Sequence, residues 1–452
     1  MSTCALHNLG CKVNSYETQA MQKMMEEAGY TIIPFGEEPA DIYIINTCSV
    51  TNIADRKSRQ MIHKARKLNP DAVIVATGCY VESAGAEIDK DVDVIIGNNE
   101  KSRLRGIIDD YLENRKRGRL PDISSEPDFD EMELLGDSDD CWKGADSDSH
   151  TRAYVKIQDG CNRFCSYCII PYVRGRIRSR RADDAINEIT HLAAAGCREV
   201  VLTGIHLSSY GLDKESDGTT LIELVERAEQ IQGIERIRLG SLEPLIVTEE
   251  FAARLAACKK ICPHFHLSLQ SGCDETLKRM NRRYTTQQFY QGVEILRKYF
   301  DKPAITTDVI VGFPGETQEE FAQTVEFLEK VKFYELHVFK YSRRKGTVAD
   351  KMPGQLTEKE KAARSDVLLE LDDRLSADYR RRFVGRRVKV LTEENMTVDG
   401  ITYMTGFTDT YVKVAIEQKA GNEITSNRLI DVIVTDYDEK KMKEMVIAVA
   451  EN

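Results

Sequence analysis

Cys161, Cys165 and Cys168 stand in the segment GCNRFCSYC, directly after the β-type run RAYVKIQ. Three thiolates on one short loop can hold three irons of a 4Fe-4S cluster and leave the fourth iron open to a ligand. Structural zinc is the competing possibility, but it normally takes four protein ligands, commonly as paired CxxC, and no fourth partner stands nearby. Three more cysteines share another regularity: Cys11 follows ALHNLG, Cys48 follows IYIINT and Cys79 follows VIVATG. Loops at the carboxyl ends of parallel strands lie along one sheet edge, where residues distant in sequence converge. Of the 12 cysteines, the remaining Cys4, Cys141, Cys197, Cys258, Cys262 and Cys273 lack such context and read as small buried hydrophobes. That holds even for Cys258 and Cys262, whose i, i+4 spacing mimics a ligand pair.

The elements that must position these residues follow from hydrophobic patterning. Up to residue 121, short β-type runs alternate with helical segments such as YETQAMQKMMEEAG and ADRKSRQMIHKARKL, which predicts a parallel α/β sheet covered by helices. Over 151–354, six β-type runs alternate with amphipathic segments, which predicts an open (βα)6 barrel with its site at the carboxyl ends of the strands. Thr203 and Gly204 end the second run, and Gln270, Ser271 and Gly272 end the fourth. Gly204, Gln270 and Ser271 are therefore expected at a cofactor, although glycine at such a place is also an ordinary turn residue. A charged helical connector is expected over 355–379. Over 380–445, period-two runs punctuated by Gly and Asn predict a small antiparallel β-barrel.

Composition narrows the class. The chain has 452 residues with 41% hydrophobic and 30% charged side chains, and its apolar runs are far short of the roughly 20 residues a membrane helix needs. The first residues carry no signal-peptide pattern, so the protein is expected in the cytoplasm, where cysteines serve as metal ligands more often than in disulfides. A net charge of -11 argues against nucleic acid. Much of that charge falls in the acidic segment 122–150, which reads as an exposed linker. Basic clusters remain at 56–67, 115–119, 174–181 and 380–387.

The CxxxCxxC motif and its strand context resemble the radical S-adenosylmethionine (SAM) superfamily. The segments LGCKVNSYE, NTCSVTNIADRKSRQ and ATGCYVE resemble the N-terminal domain of its methylthiotransferase family, and GRRVKVLTE, TGFTDTYVKVAI and SNRLIDVIV resemble the RNA-binding TRAM domain. The resemblance spans nearly the whole chain apart from the acidic segment. It implies a first 4Fe-4S cluster on Cys11, Cys48 and Cys79, a second, SAM-binding cluster on Cys161, Cys165 and Cys168, and Tyr167 near the SAM adenine. It also implies an electron donor such as flavodoxin or ferredoxin. In that family SAM is cleaved to a 5′-deoxyadenosyl radical, and a methylthio group replaces a hydrogen on the substrate.

LGCKVNSYET is closest to the branch that acts on N6-threonylcarbamoyladenosine at position 37 of tRNAs reading codons that begin with A. The branches acting on N6-isopentenyladenosine or on a ribosomal protein are the alternatives. A non-catalytic iron-sulfur RNA-binding protein is the alternative of another class. Arg174, Arg176 or Arg178 is expected to meet the carboxylate of this substrate, and Arg380, Arg381 and Arg386 are expected to meet tRNA phosphates.

Overall fold

The computed structural model describes residues 2–114, 129–132, 151–214, 216–418, 423–439 and 442–450. Cys141, the basic cluster 115–119 and most of the acidic segment lie outside these residues. The N-terminal region runs β1 (Thr3–Asn8), α1 (Lys12–Glu27), β2 (Thr31–Ile32), β3 (Ile42–Thr47), α2 (Asn52–Leu68), β4 (Val73–Gly78), α3 (Cys79–Ala84), β5 (Val94–Ile96) and α4 (Leu104–Asn114). All strands pair in parallel in the order β2-β1-β3-β4-β5. Every residue of β3 and β4 is buried, as expected of central strands covered by helices on both faces. Because β1, β3 and β4 are neighbours, the loops that carry Cys11, Cys48 and Cys79 leave the sheet side by side.

The central region contains β6 (Arg152–Asp159), α5 (Ile170–Val173), β7 (Arg178–Ser179), α6 (Ala182–Ala194), β8 (Glu199–Gly204), α7 (Leu221–Glu229), β9 (Arg236–Leu239), α8 (Glu249–Ala257), β10 (His264–His266), α9 (Asp274–Arg279), α10 (Thr286–Tyr299), β11 (Ala304–Val311), α11 (Gln318–Val331) and β12 (Glu335–Lys340). Two sheets, β7-β6-β8-β9 and β10-β11-β12, are joined by parallel bridges Ile237↔Ile261 and Leu242↔Leu267. The six parallel strands β6, β8, β9, β10, β11 and β12 form the expected open barrel. β7 is an added antiparallel edge on β6, too short to leave a pattern in sequence. Capping boxes at Thr220/Glu223, Thr285/Gln288 and Thr317/Glu320 start α7, α10 and α11 by pairing orphan backbone amides with side chains. Along the strands, Val155, Leu202, Ile237, Leu267, Val309 and Leu336 face the helices and form the core. The alternate residues, many of them charged, face the lumen.

α1 serves both regions. Met21 and Met25 pack on their own sheet, while Tyr16 and Ala20 enter the core of the central barrel. Residues 129–132 depart from the exposed linker expected for the acidic segment. Asp130 and Met132 are buried, the Tyr16 hydroxyl donates to the Met132 carbonyl, and the Lys101 amide donates to Asp130 Oδ2 at 3.0 Å. Glu131 pairs with the buried Arg180 at 2.5 Å. Here the acidic residues answer cations and amides of the folded regions, which composition alone does not show.

α12 (Glu358–Arg381) packs against β12, and five strands follow: β13 (Arg387–Val398), β14 (Ile401–Thr408), β15 (Lys413–Glu417), β16 (Leu429–Asp436) and β17 (Met445–Ala450). They close a barrel in the order β13-β14-β15-β17-β16, which runs past the expected boundary at 445. It is not wholly antiparallel, because β15 and β17 pair in parallel. The small barrel seals the N-terminal mouth of the central one: Arg236 donates to the Phe407 and Lys389 carbonyls at 2.8 Å, and the Tyr411 ring lies 5.1 Å from that of His264. Arg380 is buried in this junction and bonded to Glu335 at 3.0 Å, so it is not a phosphate contact. Arg381 pairs with Asp378 and Glu439, whereas Arg386 is exposed.

Candidate active site

Cys11 caps α1, Cys48 follows β3 and Cys79 opens α3. Their proximity shows at Gly10, whose φ of +115° suits glycine and where a Cβ would stand 3.1 Å from Cys48 Sγ. Asn14 fastens the same corner by donating to the Leu9 and Thr47 carbonyls at 2.7 and 3.1 Å. Cys48 and Cys79 are buried and Cys11 is exposed, so the set opens on one side.

The second set hangs from the end of β6. Cys161 and Cys165 are buried and Cys168 is half-buried. The loop is held from the segment after α9: the Ser166 amide and hydroxyl donate to the Met280 and Arg279 carbonyls at 3.0 and 2.8 Å, and Asn281 Nδ2 donates to the Phe164 carbonyl at 2.9 Å. Arg282 donates from Nη1 to Cys165 Sγ at 3.2 Å and from Nε to the Tyr284 hydroxyl at 2.9 Å. Tyr167 lies edge-on to Phe313, with ring centroids 6.3 Å apart.

Between the two sets lies a buried ionic bridge. Arg174, fully enclosed, donates from Nε to Cys79 Sγ at 3.4 Å, from Nη1 to Glu17 Oε1 at 2.9 Å and Asp159 Oδ1 at 3.1 Å, and from Nη2 to Asn14 Oδ1 at 2.6 Å. Lys156 adds contacts to Glu17 at 2.9 Å and Asp159 at 2.7 Å, and Lys101 bonds Glu17. Desolvation alone would raise both carboxyls, but Arg174, with Lys156 and other cations around it, holds Glu17 and Asp159 well below the ordinary range. Arg174 therefore cannot meet a substrate carboxylate as expected from sequence, and Arg178 is buried as well, donating to the Arg174 carbonyl at 2.9 Å. Arg176 is half-buried, with its guanidinium 4.8 Å from the Phe164 ring centroid.

The strand-end residues divide. Gly204 ends β8 so close to Gln158 that a Cβ would meet its side chain at 2.9 Å. Gln270 adopts a φ of +70°, and its amide donates to the Asp308 carbonyl at 2.9 Å. Ser271 is fully buried, its hydroxyl shared with Thr324 and accepting from the Cys273 amide, so it supports the loop from behind. The other described cysteines, Cys4, Cys197, Cys258, Cys262 and Cys273, are buried as expected. Sequence reasoning passed over Arg282 and Lys12, and it gave Arg174 a different task. Adjacency to a cysteine motif marked Lys12 and Arg174, whereas nothing in the sequence marked Arg282.

Comparison with known proteins decides the family. Residues 155–328 match the model of the radical SAM superfamily, and residues 3–97 match one described as uncharacterized protein family UPF0004. The threonylcarbamoyladenosine tRNA methylthiotransferase MtaB of Bacillus subtilis is 40% identical over 436 residues, 96% of this chain and 93% of that protein. The chain belongs to the radical SAM methylthiotransferase family. The protein of the same name from Aquifex aeolicus is 39% identical over 86% of this chain and 93% of its own. The tRNA-2-methylthio-N(6)-dimethylallyladenosine synthase of Carboxydothermus hydrogenoformans is 34% identical over 94% and 95%. Among solved structures, the radical SAM methyltransferase TsrM from Kitasatospora setae shares the fold, with a TM-score of 0.56 at 16% identity over 76% of this chain and 73% of its own.

As a radical SAM methylthiotransferase the chain uses SAM and two 4Fe-4S clusters, and the donors fit. Desolvation pushes the thiols of Cys161 and Cys48 up to about 11 and that of Cys168 to about 12, and Cys79 rises too despite Arg174 beside it. Thiols so placed would become thiolates beside a strong cation, which the iron of a cluster held there would supply. Each set also keeps one guanidinium on a sulfur, Arg174 on Cys79 and Arg282 on Cys165. The loop geometry is testable at Gly160, whose φ is +68° and where a Cβ would stand 1.7 Å from the Arg176 carbonyl oxygen. Gly160→Ala is expected to lower the iron bound after anaerobic reconstitution from about eight toward about four per chain. Full iron in the variant would show that the loop tolerates the side chain.

Proposed function

We propose that the chain converts N6-threonylcarbamoyladenosine at position 37 of tRNA into its 2-methylthio derivative. The observation that carries this is the 40% identity to the Bacillus subtilis relative over nearly the full length of both chains, and both thiol sets of this chain lie at strand ends. In this reading Cys11, Cys48 and Cys79 hold one cluster, and Cys161, Cys165 and Cys168 hold the one that binds SAM. When bound, these groups supply the radical that removes the C2 hydrogen and the methylthio group that replaces it.

The chain's own work is positioning. Arg282 and Arg174 each place positive charge on one ligand sulfur, and the ionic bridge through Arg174 fixes the two cysteine loops relative to each other. Tyr167 lies beside the adenine of SAM, with Gly204 and Gln270 along the strand ends. The substrates are tRNAs reading codons that begin with A, electrons come from a donor such as flavodoxin or ferredoxin, and the setting is the cytoplasm. No helix among the described residues is long and apolar enough to cross a membrane. The exposed Arg386 beside the small barrel meets tRNA phosphate.

Nucleoside mass spectrometry of tRNA from a strain lacking the gene is expected to show loss of the 2-methylthio mark with accumulation of threonylcarbamoyladenosine. Loss of 2-methylthio-N6-isopentenyladenosine instead would move the chain to the neighbouring branch.

A further inference from the structure

The lumen of the central barrel holds polar groups that none of these assignments uses. His266 of β10, Asp308 of β11 and His337 of β12 stand side by side, with Asp308 Oδ1 3.4 Å from both His266 Nε2 and His337 Nδ1 and the two imidazoles 5.2 Å apart. Leu267, Val309 and Leu336 face the helices, so strand alternation turns these three to the lumen side, with His337 at its open edge and half exposed. The layer lies immediately below the cofactor level, because the Asp308 carbonyl accepts from the Gln270 amide. His266 is only 9% exposed, and beyond the 3.4 Å approach of Asp308, which is poorly directed for a hydrogen bond, its Nε2 has no partner among the described residues. A buried nitrogen left so is costly unless a ligand answers it.

Lys12, the residue after Cys11, reaches the same space from the N-terminal region. Its amine lies within electrostatic range of Arg238, Arg152, Asp308 and Glu199. It makes no hydrogen bond or ion pair among the described residues. Charge then says what fits. Arg152 is paired with Glu393 at 2.6 Å, and Arg236 and Arg238 share Glu199 at 3.6 and 2.8 Å. Lys12, Arg236 and Arg238 face Glu199 and Asp308 here, with Glu335 and Asp372 beyond His337, and Lys12 alone of the three cations has no carboxylate at contact distance among the described residues. A divalent metal ion at His266, Asp308 and His337 would leave Lys12 unanswered, whereas a ligand with one carboxylate pairs with it.

We propose that this layer receives the threonylcarbamoyl group of the target adenosine, its carboxylate meeting Lys12 and its ureido N–H and hydroxyl groups meeting Asp308 and His266. The inference rests on the substrate reading above and gives it a specificity-determining pocket: the base stays at the cofactor level beside Cys11, and the N6 substituent descends into the lumen.

The test is the affinity of the reconstituted enzyme with SAM for an anticodon stem-loop carrying threonylcarbamoyladenosine, against the same stem-loop with plain adenosine. The parent is expected to prefer the modified stem-loop. In Lys12→Gln, and separately in Asp308→Asn, that ratio is expected to fall on the order of tenfold, since each loses a charge-assisted hydrogen bond. Because the ratio is taken within each variant, a general loss of tRNA affinity does not mimic it. Both variants keeping the parent ratio would overturn the pocket alone. A stoichiometric divalent metal ion lost in His266→Ala would overturn it in favour of a metal centre. A parent without preference would overturn the substrate reading, and the pocket with it.

Discussion

Replacement of Cys165 by alanine is expected to abolish reductive cleavage of SAM, read as loss of 5′-deoxyadenosine after dithionite reduction. Two thiols remain where three are needed, and Arg282, which donates to Cys165 Sγ at 3.2 Å, faces an empty methyl instead of a thiolate. Cys79→Ala is expected to behave differently, keeping measurable 5′-deoxyadenosine while losing the methylthiolated nucleoside. The reason is architectural: Cys79 follows a strand of the N-terminal sheet and Cys165 sits on the loop after β6. The asymmetry is the diagnostic feature. Cys79→Ala with undiminished methylthio transfer would remove the N-terminal set from the chemistry.

Arg174→Met is expected to lower stability by about 3–5 kcal/mol, because it breaks a buried ion pair from one side and leaves the other charges enclosed. For domains of this size that corresponds to a fall in melting temperature on the order of 10 °C. Glu17 and Asp159 lose their shared guanidinium, and Cys79 loses its donor. Iron content should fall at the N-terminal set first. Arg174→Lys is expected to recover only part of the loss, since a single ammonium cannot reproduce the fork that meets Glu17, Asp159, Asn14 and Cys79 together. Differential scanning calorimetry and iron analysis read both effects. A variant melting with the parent and binding full iron would mean that the bridge is incidental to both.

Much of the frame was legible because its signals are short-range. CxxxCxxC sets three sulfurs on one loop whatever surrounds it. Cys11, Cys48 and Cys79 were readable together because each ends a β-type run, and a parallel sheet gathers strand ends along one edge. The capping boxes of α7, α10 and α11 are spelled out in three-residue spacings. Other features exceeded local pattern. The parallel pairing of β15 with β17 is decided by barrel closure, which period-two alternation does not encode. Phe129–Met132 lies within a strongly acidic stretch, and the folded regions give those four residues something to bind, Lys156 for Phe129, Lys101 and Ser102 for Asp130, Arg180 for Glu131 and Tyr16 for Met132.

By itself, then, the sequence determined which cysteines could act together and that they belong to two separate sets, because spacing and strand-end placement are local properties of the chain. Tertiary structure decided what lies between the sets. VRGRIRSR reads as a basic run able to meet a substrate carboxylate, since the charge of an arginine is visible in sequence and its burial is not. Arg174 is enclosed because Glu17 comes to it from α1 and Asp159 from the end of β6, and Lys12 comes within electrostatic range of Arg238 and Asp308 because α1 is wedged against the barrel. An ionised group is held inside a protein only where opposite charge is brought to it, and here that charge comes from residues far apart in the chain.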